Sequence, residues 1–296
     1  MKSIKSNKLF PNLATYLIFI FILNTQKRHL DLILSAYLIL FAGLGYSAVS
    51  VFSYLTKTDF GSTKHITNGE YRVSIFVSLL IFFGGLLSSL VVYEKNLSVA
   101  ASGYFTQGWL IARFLSINTL LVFFGFLKKK LGVRAYIAIS LAIIVIAFTI
   151  LSYDYRSLSG FQYQDTLLPV ILAVSSFCFS LGSILFMKSR TKTTDEKPLM
   201  EDLSKLVFGF NIFWFFLFLC GMLITWYGSS GAELEYLMSK LHGNNLIVTI
   251  IVITLHFALP FFLLITEEMK QKPLLARFAG IATCVGYIFE MYWIII

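Results

Sequence analysis

The sequence predicts an all-α, polytopic integral membrane helix bundle of about nine transmembrane helices. Three observations predict it. Apolar residues make up 57% of the chain and charged residues only 13%, where a soluble domain carries about 25% charge. The apolar residues gather in long runs, and mean hydropathy is +0.80. The basic residues between those runs are alternately dense and sparse, the pattern that membrane insertion imposes.

The runs cover 9–25, 32–55, 73–93, 107–127, 135–153, 166–187, 206–227, 245–265 and 274–295. All but the first are long enough to cross about 30 Å of hydrocarbon as helices. The first is marginal and reads as an uncleaved anchor, because no small-residue cleavage site follows it. If every run crosses, one side of the membrane receives 18 Lys and Arg and the other 5, with Arg113 left inside a span. Basic residues stay where translocation starts, so the N-terminus is expected inside and the C-terminus outside. Without the first crossing the split falls to 15 against 8, a weaker bias.

Composition also excludes function classes. The net charge of +9 sits in the expected cytoplasmic loops, which argues for anionic lipid headgroups and against nucleic acid as the partner. The longest loops, near 56–72 and 188–205, are too short for a soluble domain with its own core. There is no phosphate-binding glycine loop, catalytic triad or zinc spacing, so no catalytic and no metal-ligating residue is assigned. Cys178, Cys220 and Cys284 lie singly inside spans and read as small packing residues. His29, His65 and His242 fall in loops, and no Cys-x-x-Cys-His occurs, so the ligands of a membrane haem are missing.

Taken in order, the second span carries Ala42-Gly43-Leu44-Gly45 with Ser47 and Ala48, and the third Gly84-Gly85 with Ser88 and Ser89. Small residues at helical spacing let helices approach closely. In the fourth span, Arg113 lies about 9 Å below the outer edge, counted at 1.5 Å per residue. Asp154 ends the fifth span on the same side. Glu201-Asp202-Leu203-Ser204-Lys205 leads into the seventh span from inside, where acidic residues suit a helix start. Asn211 and Trp214 extend a polar strip deeper. Between the seventh and eighth spans, Ser230 and Glu233 have capping-box spacing. Leu234, Leu237, Met238 and Leu241 form one apolar face, and Gly243 is a stop. This predicts an amphipathic helix on the outer surface. His256 sits near mid-membrane in the eighth span, four residues before Pro260, which frees a carbonyl on the preceding turn. Glu290 on the ninth span lies at the depth of Arg113. Tyr93, Tyr104, Trp109, Tyr153, Tyr155, Trp226, Tyr227, Tyr292 and Trp293 collect at outer span ends, as interfacial aromatics do.

Charge at depth is expensive unless paired or hydrated. Two readings of the outer group stay open. One is an Arg113–Glu290 structural ion pair with Asp154 and Glu233 as solvated caps. The other is a proton path or quinone-headgroup pocket. For His256 the alternatives are a proton relay and a histidine bonded to a neighbouring helix.

The C-terminal half resembles a known family. Glu201 to Trp214 is similar to the His-Asp-Leu-Gly-Lys…Phe-x-Phe-x-x-Phe-Trp segment of the NrfD-like (polysulfide reductase NrfD family) membrane subunits of bacterial alternative complex III. Trp226-Tyr227-Gly228 with Glu233 and Tyr236 resembles that family's Trp-Tyr-x-Asn-x-Pro-Glu-Glu loop. His256-Phe257-Ala258-Leu259-Pro260-Phe261 resembles its His-Phe-x-x-Pro-Phe helix, and Glu290-Met291-Tyr292-Trp293 its terminal Asp-x-Tyr-Trp. The order and spacing agree over 200–296, with a weaker match through Arg113 and Asp154. The subunit type it most resembles is the second, shorter one, called quinone-binding subunit 2. Departures are Glu201 for the motif histidine, Ser204 for its glycine, Gly231 and Ala232 for Pro-Glu, Lys240 for arginine and Glu290 for aspartate.

The resemblance implies a subunit of a respiratory quinol:electron-acceptor oxidoreductase in the bacterial cytoplasmic membrane. Its partners would be a larger NrfD-like subunit, an iron–sulfur subunit and c-type haem subunits. This chain would bring no redox centre of its own, with quinone as the one cofactor it could help to bind. The chain is then a single transmembrane domain, 1–296, with anchor helices in 1–70, a first bundle in 71–190 and the NrfD-like bundle in 200–296. Arg113, Asp154, Glu233, His256 and Glu290 are the candidate proton-path or quinone-site residues, with Asp202 and Lys205 as an inner entry. The alternative is a stand-alone transporter or structural membrane protein, which an inverted repeat with broken helices at midplane would favour.

Overall fold

A computed structural model describes residues 28–55, 112–113, 116–117, 133–158, 167–189, 197–228 and 231–295, a few of their side chains excepted. The elements are α1 (Arg28–Leu55), α2 (Val133–Leu158), α3 (Leu168–Lys188), α4 (Lys197–Gly228), α5 (Gly231–Leu241), α6 (Gly243–Val252), a π-helical stretch (Ile253–Ala258), α7 (Leu259–Leu263), α8 (Glu267–Lys270) and α9 (Pro273–Ile295). Among the described residues, five stretches are long and apolar enough to cross a bilayer: Arg134–Tyr155, Leu168–Lys188, Pro198–Tyr227, Gly243–Leu263 and Pro273–Ile294. The chain is an all-α, multi-pass membrane helix bundle. The five stretches coincide with the last five predicted spans, and α1 covers the second. The predicted spans at 9–25 and 73–93 lie outside the described residues, as does the one at 107–127 apart from four positions.

Helix α3 is the axis of the bundle. It is the most buried of the five long stretches and packs on α9, α1, α4 and α2. Its interior carries Ser175, Ser176, Ser180 and Ser183, all buried. A hydroxyl away from water needs a partner. Ser176 donates to the Leu172 carbonyl at 2.7 Å, Ser180 to that of Ser176 at 2.9 Å and Ser183 to that of Ser180 at 2.9 Å. Small side chains also admit the neighbours. A Cβ on Gly280 of α9 would lie 2.6 Å from the Gly182 carbonyl oxygen of α3, so the two backbones touch there. Gly45 of α1 seats against the Ser176 carbonyl in the same way, which is the packing role read for the Ala42–Ala48 run.

Aromatic rings fill the rest of the core. Phe41 stacks on Phe148 at 5.7 Å and Phe177 meets Phe210 at 4.5 Å. The outward faces carry Val145, Phe216, Leu223, Ile250 and Phe262, all exposed, as lipid contact requires of a bundle that buries its polar groups.

Three local features differ from the sequence reading. Helix α4 starts at Lys197, well before 206, because Met200 and Leu203 continue its buried face while Asp202 and Lys205 point outward. Helix α8 occupies a predicted loop, and Thr266 caps it by accepting from the Met269 amide at 3.2 Å. The Gly243–Leu263 crossing is not a continuous α-helix. Pro260 cannot donate to the chain behind it, and the helix widens to π winding over Ile253–Ala258, with the Leu259 amide bonded to the Thr254 carbonyl five residues back.

Candidate functional site

Glu290 on α9 is 1% exposed. Three elements supply its neighbours. Trp214 of α4 donates from Nε1 to Oε1 at 2.8 Å. Ser175 of α3 donates to Oε2. His256 of the π stretch brings Nδ1 to 3.1 Å from Oε2. Among the described residues no lysine or arginine pairs with this carboxyl. The His256 ring lies flat on Trp214, with centroids 4.0 Å apart and planes 19° from parallel.

His256 is fully buried. Its Nδ1 is close to the carboxylate but poorly aligned, and neither ring nitrogen completes a hydrogen bond among the described residues. Buried polar groups in folded proteins are paired in the great majority of cases. The imidazole thus stands beside a carboxyl with its hydrogen-bonding capacity unfilled among the described residues. The His256 backbone comes this close to α9 because Gly286 lies opposite it. A Cβ there would sit 2.6 Å from the His256 amide nitrogen, 2.7 Å from its Cα and 2.8 Å from its Cβ.

A cavity of about 40 Å³ runs from Glu290 towards α5, between Phe218, Thr225, Tyr236, Leu237 and Trp293. A water needs roughly 10–15 Å³ of such space, so the cavity takes a few waters. Helix α5 closes the cavity and is fastened by Lys240, which is fully buried. Lys240 Nζ donates to the Trp293 carbonyl at 2.6 Å and lies 4.7 Å from the Tyr236 ring centroid. Trp293 Nε1 in turn donates to Thr249 Oγ1 at 2.7 Å.

The Arg113–Glu290 pair expected from depth counting is not formed. Arg113 grips Asp154 instead, Nη2 to Oδ1 at 2.7 Å and Nε to Oδ2 at 3.0 Å. Asp154 is fully buried, so it is no solvated cap. The planar guanidinium takes both oxygens of one carboxylate, and Glu290 is left to neutral donors. Glu233 falls on the backbone of α5, and its side chain lies outside the described residues. Asp202 and Lys205 are exposed at the opposite end of the bundle. There Lys205 pairs with Glu201 at 2.7 Å and Glu267 at 3.6 Å, and Lys270 with Glu267 at 3.1 Å. These bonds hold the Glu267 carboxyl below its ordinary value, Lys270 contributing most and outweighing the effect of desolvation. Between the two ends, Asn211 donates to Thr283 at 3.1 Å, and the Asn211 Oδ1 is buried without a partner among the described residues.

Of the predicted residues, then, the structure joins His256 to Glu290 and Arg113 to Asp154, and leaves Asp202 and Lys205 apart. Ser175, Lys240 and Gly286 were not anticipated. Lys240 carried no signal, since at 3.6 residues per turn it lies about a third of a turn from the stripe of Leu234, Leu237, Met238 and Leu241. Ser175 and Gly286 carried none, being small residues among many. Among the described residues no group of His, Cys, Asp and Glu is arranged to hold a metal ion. No protein-family model matches the chain, and no curated protein matches it significantly.

Proposed function

We propose that this chain is a proton-carrying integral subunit of a quinol-oxidising respiratory complex in the bacterial cytoplasmic membrane. It crosses the membrane nine times, with the N-terminus inside and the C-terminus outside. Electrons pass through partner subunits: a larger NrfD-like chain, an iron–sulfur protein and c-type haem proteins. The observation that carries the proton role is Glu290, a carboxyl deep in an apolar bundle, bonded to Trp214 and Ser175 and touched by His256. Such a group is costly in a membrane and marks an ion or proton pathway by default. The water-sized cavity gives it a route towards the α5 end, which is the outer end in this orientation. Protons held on Glu290 exchange through those waters, and His256 relays them inward. The resemblance over 200–296 supports the respiratory assignment. The direction of the helices supports the topology: α1 ends and α2 begins at the same end of the bundle, as an even number of intervening crossings requires.

Purification of the tagged chain in mild detergent tests this. Haem and iron–sulfur subunits should co-purify, and Glu290→Gln should abolish proton uptake coupled to quinol oxidation while electron transfer continues. A chain isolated alone and catalysing solute transport in liposomes would refute the respiratory role. That second reading, a proton-coupled transporter, is favoured by one observation: a crossing helix broken by π winding near mid-membrane.

A further inference from the structure

We propose that Gly286 is the positioning residue that makes His256 and Glu290 one proton-sharing unit. The proposal rests on the proton-carrying reading of the site and names what in the fold creates it. Two independent features meet at this point. The first is the π-helical winding of Ile253–Ala258. Single turns of π-helix insert an extra residue, shift the facing of those around it and occur often at functional sites. The second is the glycine opposite. A Cβ at Gly286 would meet His256 at its amide nitrogen, Cα and Cβ, all between 2.6 and 2.8 Å. None of these atoms is the free end of a flexible side chain, so any larger residue must displace the His256 backbone.

Gly286 stands one helical turn before Glu290 on α9, about 6 Å along the axis. The backbone of His256 rests on the glycine, and its ring spans that turn to put Nδ1 3.1 Å from Glu290 Oε2. Trp214 stacks on the ring at 4.0 Å and binds the same carboxyl through Nε1. The ring is thus clamped between α4 and α9 at a distance set by the missing side chain. Among the described residues, the other ionisable groups facing this site are Tyr155 of α2, whose hydroxyl donates to the Met291 carbonyl at 2.8 Å, and the buried Cys178 of α3. Neither bonds His256.

The experiment uses the full chain in lipid nanodiscs, with ¹⁵N-labelled histidine and ¹³C-labelled glutamate. Dipolar coupling between the His256 Nδ1 and the Glu290 carboxyl is measured by solid-state NMR, assigned by its loss in Glu290→Gln. Gly280→Ala serves as the packing control, since Gly280 makes an equally close contact with α3. The coupling should persist in Gly280→Ala and vanish in Gly286→Ala. Deletion of Thr254, which restores α winding without touching α9, should abolish it too, and it serves in place of Gly286→Ala should that variant fail to insert. In parallel, the infrared carboxyl band of Glu290 is followed against pH. Gly286→Ala should titrate as His256→Gln does, and Gly280→Ala as the natural chain does. Retention of the coupling in Gly286→Ala or in the Thr254 deletion, or its loss in Gly280→Ala, overturns the proposal. If the coupling behaves as expected but the band is insensitive to His256, the positioning stands and proton sharing fails.

Discussion

Arg113 and Asp154 lock into a two-point fork, Nε to Oδ2 at 3.0 Å and Nη2 to Oδ1 at 2.7 Å. Tyr37 adds a long contact to Oδ2 at 3.5 Å. The fork satisfies a cation that would otherwise be costly in an apolar bundle, and among the described residues no lysine or arginine is left beside the Glu290 carboxyl.

Breaking that fork from one side strands the other charge. Arg113→Gln or Asp154→Asn alone should each destabilise the folded chain by about 3–5 kcal/mol. The double variant should recover much of the loss, since neither charge then remains. Thermal unfolding in nanodiscs gives the comparison. Equal loss in the single and double variants would show that the pair contributes shape, not charge compensation.

Replacement of Glu290 acts on function more than on the fold. The one oxygen of Gln can still accept from Trp214, and its amide NH2 can donate to the Ser175 hydroxyl, but Gln cannot hold a transferable proton. Proton-linked turnover should fall by about 100-fold, within the range of about 10²–10⁴ known for positioned acid–base groups. Glu235→Gln, on the exposed face of α5, should leave turnover unchanged.

Trp214→Phe separates stacking from hydrogen bonding. The phenyl ring still covers His256, but Glu290 Oε1 loses its donor at 2.8 Å. Leaving a buried acceptor unmet costs about 1–3 kcal/mol. Chemical unfolding should register that loss, and a variant as stable as the natural chain would mean that water replaces the indole donor.

Glu267 gives the α8 end a dependence on pH. Its folded-state value lies below the ordinary 4.5, chiefly through Lys270 and then Lys205. A carboxyl of this kind contributes stability that is present above the unfolded value and lost as pH falls through the folded one. Glu267 is exposed, so the effect should be small and should fade in salt. Glu267→Gln should flatten the acid limb of the stability curve below about pH 4.5 at low ionic strength. An unchanged limb would place the acid sensitivity elsewhere.

The topology has a direct test. A reporter that works only outside the cytoplasm should be active after Ile296 and within α5, and inactive at Gln271 between α8 and α9. Activity in the cytoplasm after Ile296 would mean an even number of crossings, with the 9–25 run as the one that does not cross.

The last five spans were legible because a bilayer imposes long apolar runs. The surface helix was legible because Leu234, Leu237, Met238 and Leu241 repeat at helical period, and α5 occupies Gly231–Leu241. Rotation was not legible. Counting residues placed Arg113 and Glu290 at one depth, but α9 is apolar on nearly all sides, and nothing in its sequence says which face meets which neighbour. The partner of Arg113 was therefore misread: it is Asp154, and not Glu290. The π winding was hidden for a related reason. Pro260 announces a broken bond behind it, yet whether the helix kinks or widens depends on what lies opposite, and that is Gly286, thirty residues away in the chain.

The serines of α3 bear on how such a bundle is made. Ser176, Ser180 and Ser183 spend their hydroxyls on their own helix, so α3 can leave the insertion machinery and wait in lipid without an unmet group from any of them. Ser175 is different: its hydroxyl goes to Glu290 on α9, a helix synthesised more than a hundred residues later. Glu290 for its part finds Trp214, His256 and Ser175 already in the bilayer when it emerges. The carboxyl is thus the last polar group of the site to need shelter and the first to find it ready.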